Sequence, residues 1–261
     1  MSRAFGVRGD VLSWMRNYLS GCCYTVRFGG TESLSRCMLY GVLQGSVLGP
    51  LLFVLYTADL GGIANKHGVN SHFYADNAQL YVSDRQQEAG EAEQSLVNCM
   101  ENIAQWMASN RLKLNPSKTD FMRCATRRRQ HQLSKDHATF AGSDIQPSST
   151  VCDLGVLLDS ELSFGPHISQ LVSRCFLQLR RIKSCVHALP MDAAKAVVNS
   201  FVISRVDYCN SLLAGAPRYQ LDALQSVLNT AARLLIGAKK HDSIRHVPRD
   251  RLHWLPVQQR V

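Results

Sequence analysis

Between Arg36 and Asp59 the chain carries no charged side chain. A run of that length must be hidden from water in a core or in a bilayer. About 20 apolar residues are enough to cross a membrane. This run is interrupted by Gly41, Gln44, Gly45, Gly49 and Pro50, and only Val47 to Ala58 is densely apolar. That is short for a span and right for a buried helix. Gly41, Gly45 and Gly49 have a small-residue spacing, but it means helix pairing only inside a membrane. The run therefore predicts a glycine-rich bend followed by a core helix. Ser46 is the expected N-cap, the helix should reach about Leu60, and no membrane contact is expected.

Upstream, Val11, Leu12, Met15 and Leu19 recur at helical spacing, and Tyr24 to Phe28 alternates like a strand. Downstream of Gly61-Gly62, His72-Phe73-Tyr74 and Ala78 to Val82 flank Ala75-Asp76-Asn77 in the pattern of a hairpin. Asp and Asn tolerate the backbone of tight turns. Ser83 or Asp84 is a candidate cap for a helix whose stripe is Leu96, Met100, Ile103 and Met107. Short strands are expected at Leu112 to Leu114 and at Thr119 to Cys124. Val151 to Leu158 suits one buried strand or a hairpin pivoting on Gly155. From Pro166 onward the periodicity is helical, with helices expected at 166–185, 191–213 and 218–236. The fold class is α+β.

With 261 residues, 46% of them hydrophobic, the chain has the composition of one or two globular domains. Its nine cysteines are odd in number and form no C-x-x-C pair. This points to reduced thiols in an intracellular setting, cytoplasmic or nuclear, and not to a disulfide framework or a zinc site. Met1 to Gly6 opens no signal-peptide core.

The net charge of +9 is unevenly placed. Residues 165–261 carry 14 basic and five acidic side chains, whereas residues 1–164 carry 15 of each. Arg174, Arg180, Arg181 and Lys183 lie in one expected helix. Arg233, Lys239, Lys240, Arg245, Arg249 and Arg251 gather near the end. Segregated positive charge favours a polyanionic partner, most simply nucleic acid, over a basic surface that only confers solubility. Arg127, Arg128 and Arg129 suit a solvated loop or a phosphate contact equally well.

Three motifs occur in a fixed order: Gly41-Val42-Leu43-Gln44-Gly45-Ser46, Phe73-Tyr74-Ala75-Asp76-Asn77 and Leu114-Asn115-Pro116-Ser117-Lys118-Thr119. Together they resemble the palm of a reverse transcriptase of the LINE-type (non-LTR) retrotransposon class. Leu154 to Asp159 resembles that family's primer-grip hairpin. Tyr208-Cys209-Asn210 and Leu252 to Val257 resemble its thumb-side signatures. The resemblance covers essentially the whole chain. It implies a partial palm over 1–164 and a basic, helical, thumb-like region over 165–261. It also implies a fragment without the fingers and the first catalytic motif.

What the resemblance implies for chemistry is RNA-directed DNA polymerisation on an RNA template and a DNA primer. Two Mg²⁺ ions would stabilise the attacking and leaving oxygens. Asp76 matches the first hairpin aspartate and is the expected metal ligand. Position 77 should hold the second aspartate but carries Asn77, a neutral amide and a weaker ligand for a hard cation. The third, upstream aspartate has no match, because the context of Asp10 differs. Lys118 matches the lysine proposed as general acid for the leaving pyrophosphate. Gln44 and Gly45 would approach nucleotide and template, and Gly45 would admit close backbone contact. Leu43 stands where the family usually has proline. Tyr74 would lie near the primer terminus, and Leu154 and Gly155 would position the primer backbone. The basic side chains Arg127 to Arg129, Arg174, Arg180, Arg181, Lys183, Lys239 and Lys240 would meet phosphates.

Taken singly, Asp76 reads as a turn residue, Lys118 as a solvated lysine, and Trp106, Met100 and Met107 as core. The expectation is a polymerase domain with impaired catalysis, in effect a pseudoenzyme. The alternatives are a non-catalytic nucleic-acid-binding remnant and the reading frame of a decayed element with no selected function. The oligomeric state is open.

Overall fold

The structure, a computed structural model, describes residues 5–43, 45–83, 89–134, 136–140, 142–239, 242–244, 248 and 251–261. Gln44, Asp84, Lys240, Arg245 and Arg249 lie outside the described residues. Helices and short antiparallel ladders make the fold α+β. The chain divides into two compact units. One is Met1–Pro116 with Thr139–Ser143; the other is Ser117–Ala138 with Asp144–Val261. This division places the Leu154–Gly155 hairpin with the helices that follow it, whereas the palm-and-thumb reading divides the chain at residue 164.

In the first unit, α1 (Gly9–Leu19) precedes four two-residue strands, β1 (Cys23–Tyr24), β2 (Arg27–Phe28), β3 (Thr31–Glu32) and β4 (Arg36–Cys37). β1 pairs with β4 and β2 with β3. Cys23 and Cys37 face each other across β1–β4, with their sulfurs 2.9 Å apart. That neighbour raises the Cys37 thiol pKa above its ordinary value. α2 (Gly49–Thr57), α3 (Leu60–Lys66), the hairpin β5 (Asn70–Tyr74)–β6 (Asn77–Tyr81) and α4 (Ala89–Ser109) complete the unit. Its core is small: Leu60, Ala64, Val69, Cys99 and Ile103, with Leu80, Leu96, Trp106, Met107 and Leu114 packed against them.

The expected buried helix is two helices, broken at Ala58-Asp59, with Gly61-Gly62 inside the second, and of α2 only Leu52 is buried. Ser46 caps neither. Leu48 holds the N-cap position of α2 without a side-chain bond, and Pro50 supplies the preset φ of the first turn. The Ser46 hydroxyl is hydrogen-bonded to the Tyr18 hydroxyl on α1 instead. A side chain 28 residues away outcompeted the local cap. Leu112 to Leu114 joins no ladder among the described residues, because Leu114 is spent on the core.

The second unit is built on one large core. β7 (Ala138–Phe140) and β8 (Ser143–Ile145) pair, as do β9 (Thr150–Asp153) and β10 (Val156–Asp159). Thr119 to Cys124 contributes a single bridge, Phe121 with Pro147, and not a strand. Then come α5 (Gly165–Lys183), α6 (Met191–Val198), a π-turn at Asn199–Ile203, α7 (Ser204–Asp207) and α8 (Arg218–Ile236). Ile168, Leu171, Cys175, Leu179 and Ile182 form the buried stripe of α5. It packs on Leu224, Val227, Leu228, Ala231 and Leu235 of α8. Spacings of three and four residues place each set on one face, which is why the helical periodicity was readable. Gly237, at φ +68°, ends α8 by letting its N–H reach the Arg233 carbonyl.

The described strands form only two-stranded ladders, not one continuous palm sheet. A two-stranded ladder has two edges to be covered by other groups, and on β10 the Leu157 N–H is taken by a side chain, His167. No helix among the described residues is long and apolar enough to cross a membrane.

Candidate nucleic-acid site

In the first unit the Phe73-Tyr74-Ala75-Asp76-Asn77 motif forms the tip of the β5–β6 hairpin. Tyr74 pairs with Asn77, so Ala75 and Asp76 are the two turn residues and Asn77 opens β6. Ala75 has φ +51°. A non-glycine residue in the left-handed region is strained, by about 1–2 kcal/mol. Such strain persists where the surroundings over-determine it, and it clusters at functional sites. The tip is open to solvent: Tyr74, Ala75, Asp76 and Asn77 are all exposed.

The preceding loop is a β-turn closed by the Ser46 N–H on the Leu43 carbonyl, 3.1 Å. Gly45 is its third residue and has φ +86°, a conformation that favours glycine. A side chain at Gly45 would meet nothing within 4 Å. Within this chain, conformation and not close packing is what calls for glycine at position 45.

Lys118 is exposed at the end of a 3-10 turn, Pro116–Lys118, in the second unit. The residues expected to act together are thus divided between the units. Tyr74, Asp76, Asn77 and Gly45 belong to the first, and Lys118, Leu154 and Gly155 to the second.

The β9–β10 turn is the better-supported of the two tips. Leu154 has φ +45° and Gly155 φ +86°, the paired positive values of a type I′ hairpin. The Tyr208 hydroxyl donates a 2.7 Å bond to the Leu154 carbonyl. A Cβ on Gly155 would sit 3.7 Å from the Tyr208 ring. At the far end of β10, the buried carboxylate of Asp159 accepts backbone N–H bonds from Glu161 (3.0 Å), Ser163 (3.1 Å) and Phe164 (2.8 Å), and one from the Ser163 hydroxyl (3.3 Å). Phe164 occupies the N-cap position of α5 with φ +56° and has no capping side chain of its own. Asp159 takes over that task from five residues upstream, and so fixes where α5 leaves the hairpin.

Beside this turn lies a cavity of about 470 Å³, lined among others by Gly155, His167, Gln170, Arg174, Arg205 and Tyr208. The His167 Nδ1 accepts the Leu157 N–H at 3.2 Å. Its Nε2 therefore carries the proton of the neutral ring. Burial, and then the Arg174 charge, lower the His167 pKa and favour that neutral form. Cys175, midway along α5, has its thiol pushed up to about 11 by burial, partly offset by the positive charge of Arg205.

The basic residues expected on one helix separate on α5. At about 100° per residue, Arg174 and Arg181 share one flank of the buried stripe, while Arg180 and Lys183 lie on the other. Arg180, Arg181 and Lys183 also sit in the last turn, where cations complement the helix dipole. Arg127, Arg128 and Arg129 are exposed in a turn, and Lys239 is exposed with its backbone N–H on Asp242, 2.7 Å. Arg205 and His167 were not singled out from sequence. The helical spacing of Val202, Ile203 and Val206, all buried, is the signal that puts Arg205 outward.

The residues do not fit a two-metal centre. Asp76 is the only carboxylate at the hairpin tip, beside a neutral amide. Among the described residues no three His, Cys, Asp or Glu side chains gather anywhere. A hard dication demands several oxygen ligands.

Comparison with known proteins agrees with the motifs. Residues 2–156 match the family "Reverse transcriptase (RNA-dependent DNA polymerase)". The chain is 31% identical over 229 residues to a probable RNA-directed DNA polymerase from transposon BS of Drosophila melanogaster, covering 85% of this chain and 25% of that one. It is 24% identical over 231 residues to a probable RNA-directed DNA polymerase from transposon X-element of the same species, covering 86% and 25%. The RNA-directed DNA polymerase from mobile element jockey of Drosophila funebris is 24% identical over 234 residues, again covering 86% and 25%. The chain thus spans about a quarter of the length of these relatives. No solved structure matches it significantly. With the glycine-turn loop, the Tyr74-Ala75-Asp76-Asn77 tip and the Leu154–Gly155 hairpin in order along one chain, this protein belongs to the reverse transcriptase family, in its LINE-type (non-LTR) class.

Proposed function

We propose that this chain is a nucleic-acid-binding reverse transcriptase domain whose RNA-directed DNA polymerisation is impaired. The observation that carries the reading is the hairpin tip, a strained, exposed turn presenting one carboxylate, Asp76, followed by the amide of Asn77. In-line attack of a 3′-hydroxyl on an α-phosphate depends on metal ions held by several carboxylates. Asp76 with Asn77 supplies too few to hold Mg²⁺ well. In this proposal residues 1–164 correspond to a partial palm and 165–261 to a thumb-like region. Lys118 keeps its expected role at the leaving group, and Gln44, Gly45 and Tyr74 line the path of nucleotide and primer. The partners are an RNA template and a DNA primer, and the setting is intracellular.

Primer extension on an RNA template, with Mg²⁺ and then Mn²⁺, tests the reading on protein shown to be folded. The expected result is no extension, and none in Asn77→Asp either. Extension that disappears in Asp76→Ala would overturn the impairment.

A second reading, binding without catalysis, is favoured by the exposed cations Arg127, Arg128, Arg129, Arg174, Arg180, Arg181 and Lys183 of the second unit, which carry phosphate affinity without sequence choice. Filter binding at two salt concentrations tests it. Binding should fall steeply with salt, and salt-independent or absent binding counts against it.

A further inference from the structure

We propose that the cavity behind the Leu154–Gly155 turn is a phosphate seat, and that its occupant is one phosphodiester group of a bound nucleic-acid strand. The inference rests on the nucleic-acid-binding reading and goes further, by assigning Arg205, His167 and Tyr208, residues that no motif marked for phosphate contact.

Four observations carry it. Arg174 and Arg205 line the same cavity from two different helical segments. Among the described residues neither guanidinium makes a hydrogen bond or an ion pair. Two uncompensated cations sharing one concavity repel each other, and an anion between them removes that repulsion. A guanidinium fork also matches the spacing of phosphate oxygens.

His167 adds a neutral donor. Its Nδ1 is taken by the Leu157 N–H, so Nε2–H is the group left for the cavity. Gln170 stands one turn along the same face of α5 and brings an amide donor.

The π-turn at Asn199–Ile203 immediately precedes α7. A π-turn inserts one residue, about 100° of helix rotation, and such turns occur mostly at functional sites. Here Val202, Ile203 and Val206 face the core, while Ser204, Arg205 and Tyr208 line the cavity. Without the inserted residue the face carrying Arg205 would be turned away.

Finally, the wall opposite the helices is a turn held by Tyr208 through the Leu154 carbonyl. Gly155 is exposed and has no side chain of its own to keep a strand away. A strand can therefore approach the turn closely while one of its phosphates enters the cavity.

The test uses the full chain and a fluorescent RNA–DNA duplex, with anisotropy read across a series of salt concentrations. Arg205→Gln should reduce the slope of log affinity against log salt by about one, and Arg174→Gln with Arg205→Gln by about two. Arg218→Gln, whose guanidinium pairs with Asp222 at 3.9 Å, should leave the slope unchanged. Circular dichroism confirms that each variant is folded. A double variant that binds with the wild-type slope overturns the phosphate seat and leaves the nucleic-acid reading standing. A folded wild type that does not bind the duplex overturns both. Inorganic phosphate is titrated separately against the His167 ring resonances. The expected result is no shift at submillimolar phosphate, and a saturable shift there would assign the seat to a small phosphate instead and overturn the strand assignment.

Discussion

Two hairpins in this protein share a design and differ in support. The β5–β6 and β9–β10 hairpins both close through two-residue turns, and both hold a non-glycine residue, Ala75 or Leu154, in the left-handed region. Around Ala75 the tip is exposed on every residue from Tyr74 to Asn77. Around Leu154 the turn is tied to Tyr208, and β10 ends in the buried Asp159 carboxylate that launches α5. The turns differ in backbone, with positive φ at both Leu154 and Gly155 but only at Ala75 of the other pair, and they serve two purposes. One tip presents side chains to whatever comes to it, and the other is a fixed wall. Over-determination by neighbours adds to the difference in turn geometry.

The largest expected effect breaks the supported hairpin at its base. Asp159→Ala strips four hydrogen bonds at a buried position and should destabilise the second unit by about 2–4 kcal/mol in a urea melt. Asp76→Ala, exposed at the other tip, should stay within about 0.5 kcal/mol of wild type. Equal losses in the two variants would dissolve the contrast.

Next, Gly155→Ala places a Cβ in the left-handed region, 3.7 Å from the Tyr208 ring. It should cost about 1–2 kcal/mol and weaken duplex affinity. Ala75→Gly and Leu154→Gly run the other way. Relief of about 1–2 kcal/mol of strain, less the about 0.5–1 kcal/mol entropic cost of glycine, should leave each variant more stable by a few tenths to about 1 kcal/mol. A destabilised Leu154→Gly would mean that its side chain contributes packing that Ala75 does not.

The smallest effect is one of pH. The folded pKa of His167 is lowered, so below the ordinary histidine pKa the unfolded chain binds more protons than the folded one. Stability then falls as pH drops from about 6.5 towards the folded pKa, and it is level below that. Melts of wild type and His167→Gln between pH 7 and 5 should converge as pH falls. Parallel curves would show that burial at His167 has no such consequence.

Both turns and most helices were legible in the sequence, because each follows from near-neighbour chemistry. The stripe of α5 and the punctuation by Pro190, Gly215 and Pro217 set the helices of the second unit within a few residues. The expected helix over 191–213 was the exception. It breaks into α6, a π-turn and α7, then a 3-10 turn at Asn210–Leu213, and nothing local to those residues announces an extra residue in a turn. Arg174, Arg180, Arg181 and Lys183 share one helix as expected, and its turn places Arg174 and Arg180 on opposite flanks of the buried stripe.

The sequence by itself determined the family, the α+β class, the Asp76–Asn77 pairing that sets the chemistry in question, and the two tight turns. Those depend on residue identity and on spacings of a few positions. Only the tertiary structure decided that Ser46 bonds Tyr18 and does not cap a helix, that Asp159 caps α5 and that Tyr208 holds Leu154. It alone put Arg174 and Arg205 around one cavity. Each of these brings together groups far apart in sequence, and the choice of partner for a polar group is made in space, not by its neighbours along the chain.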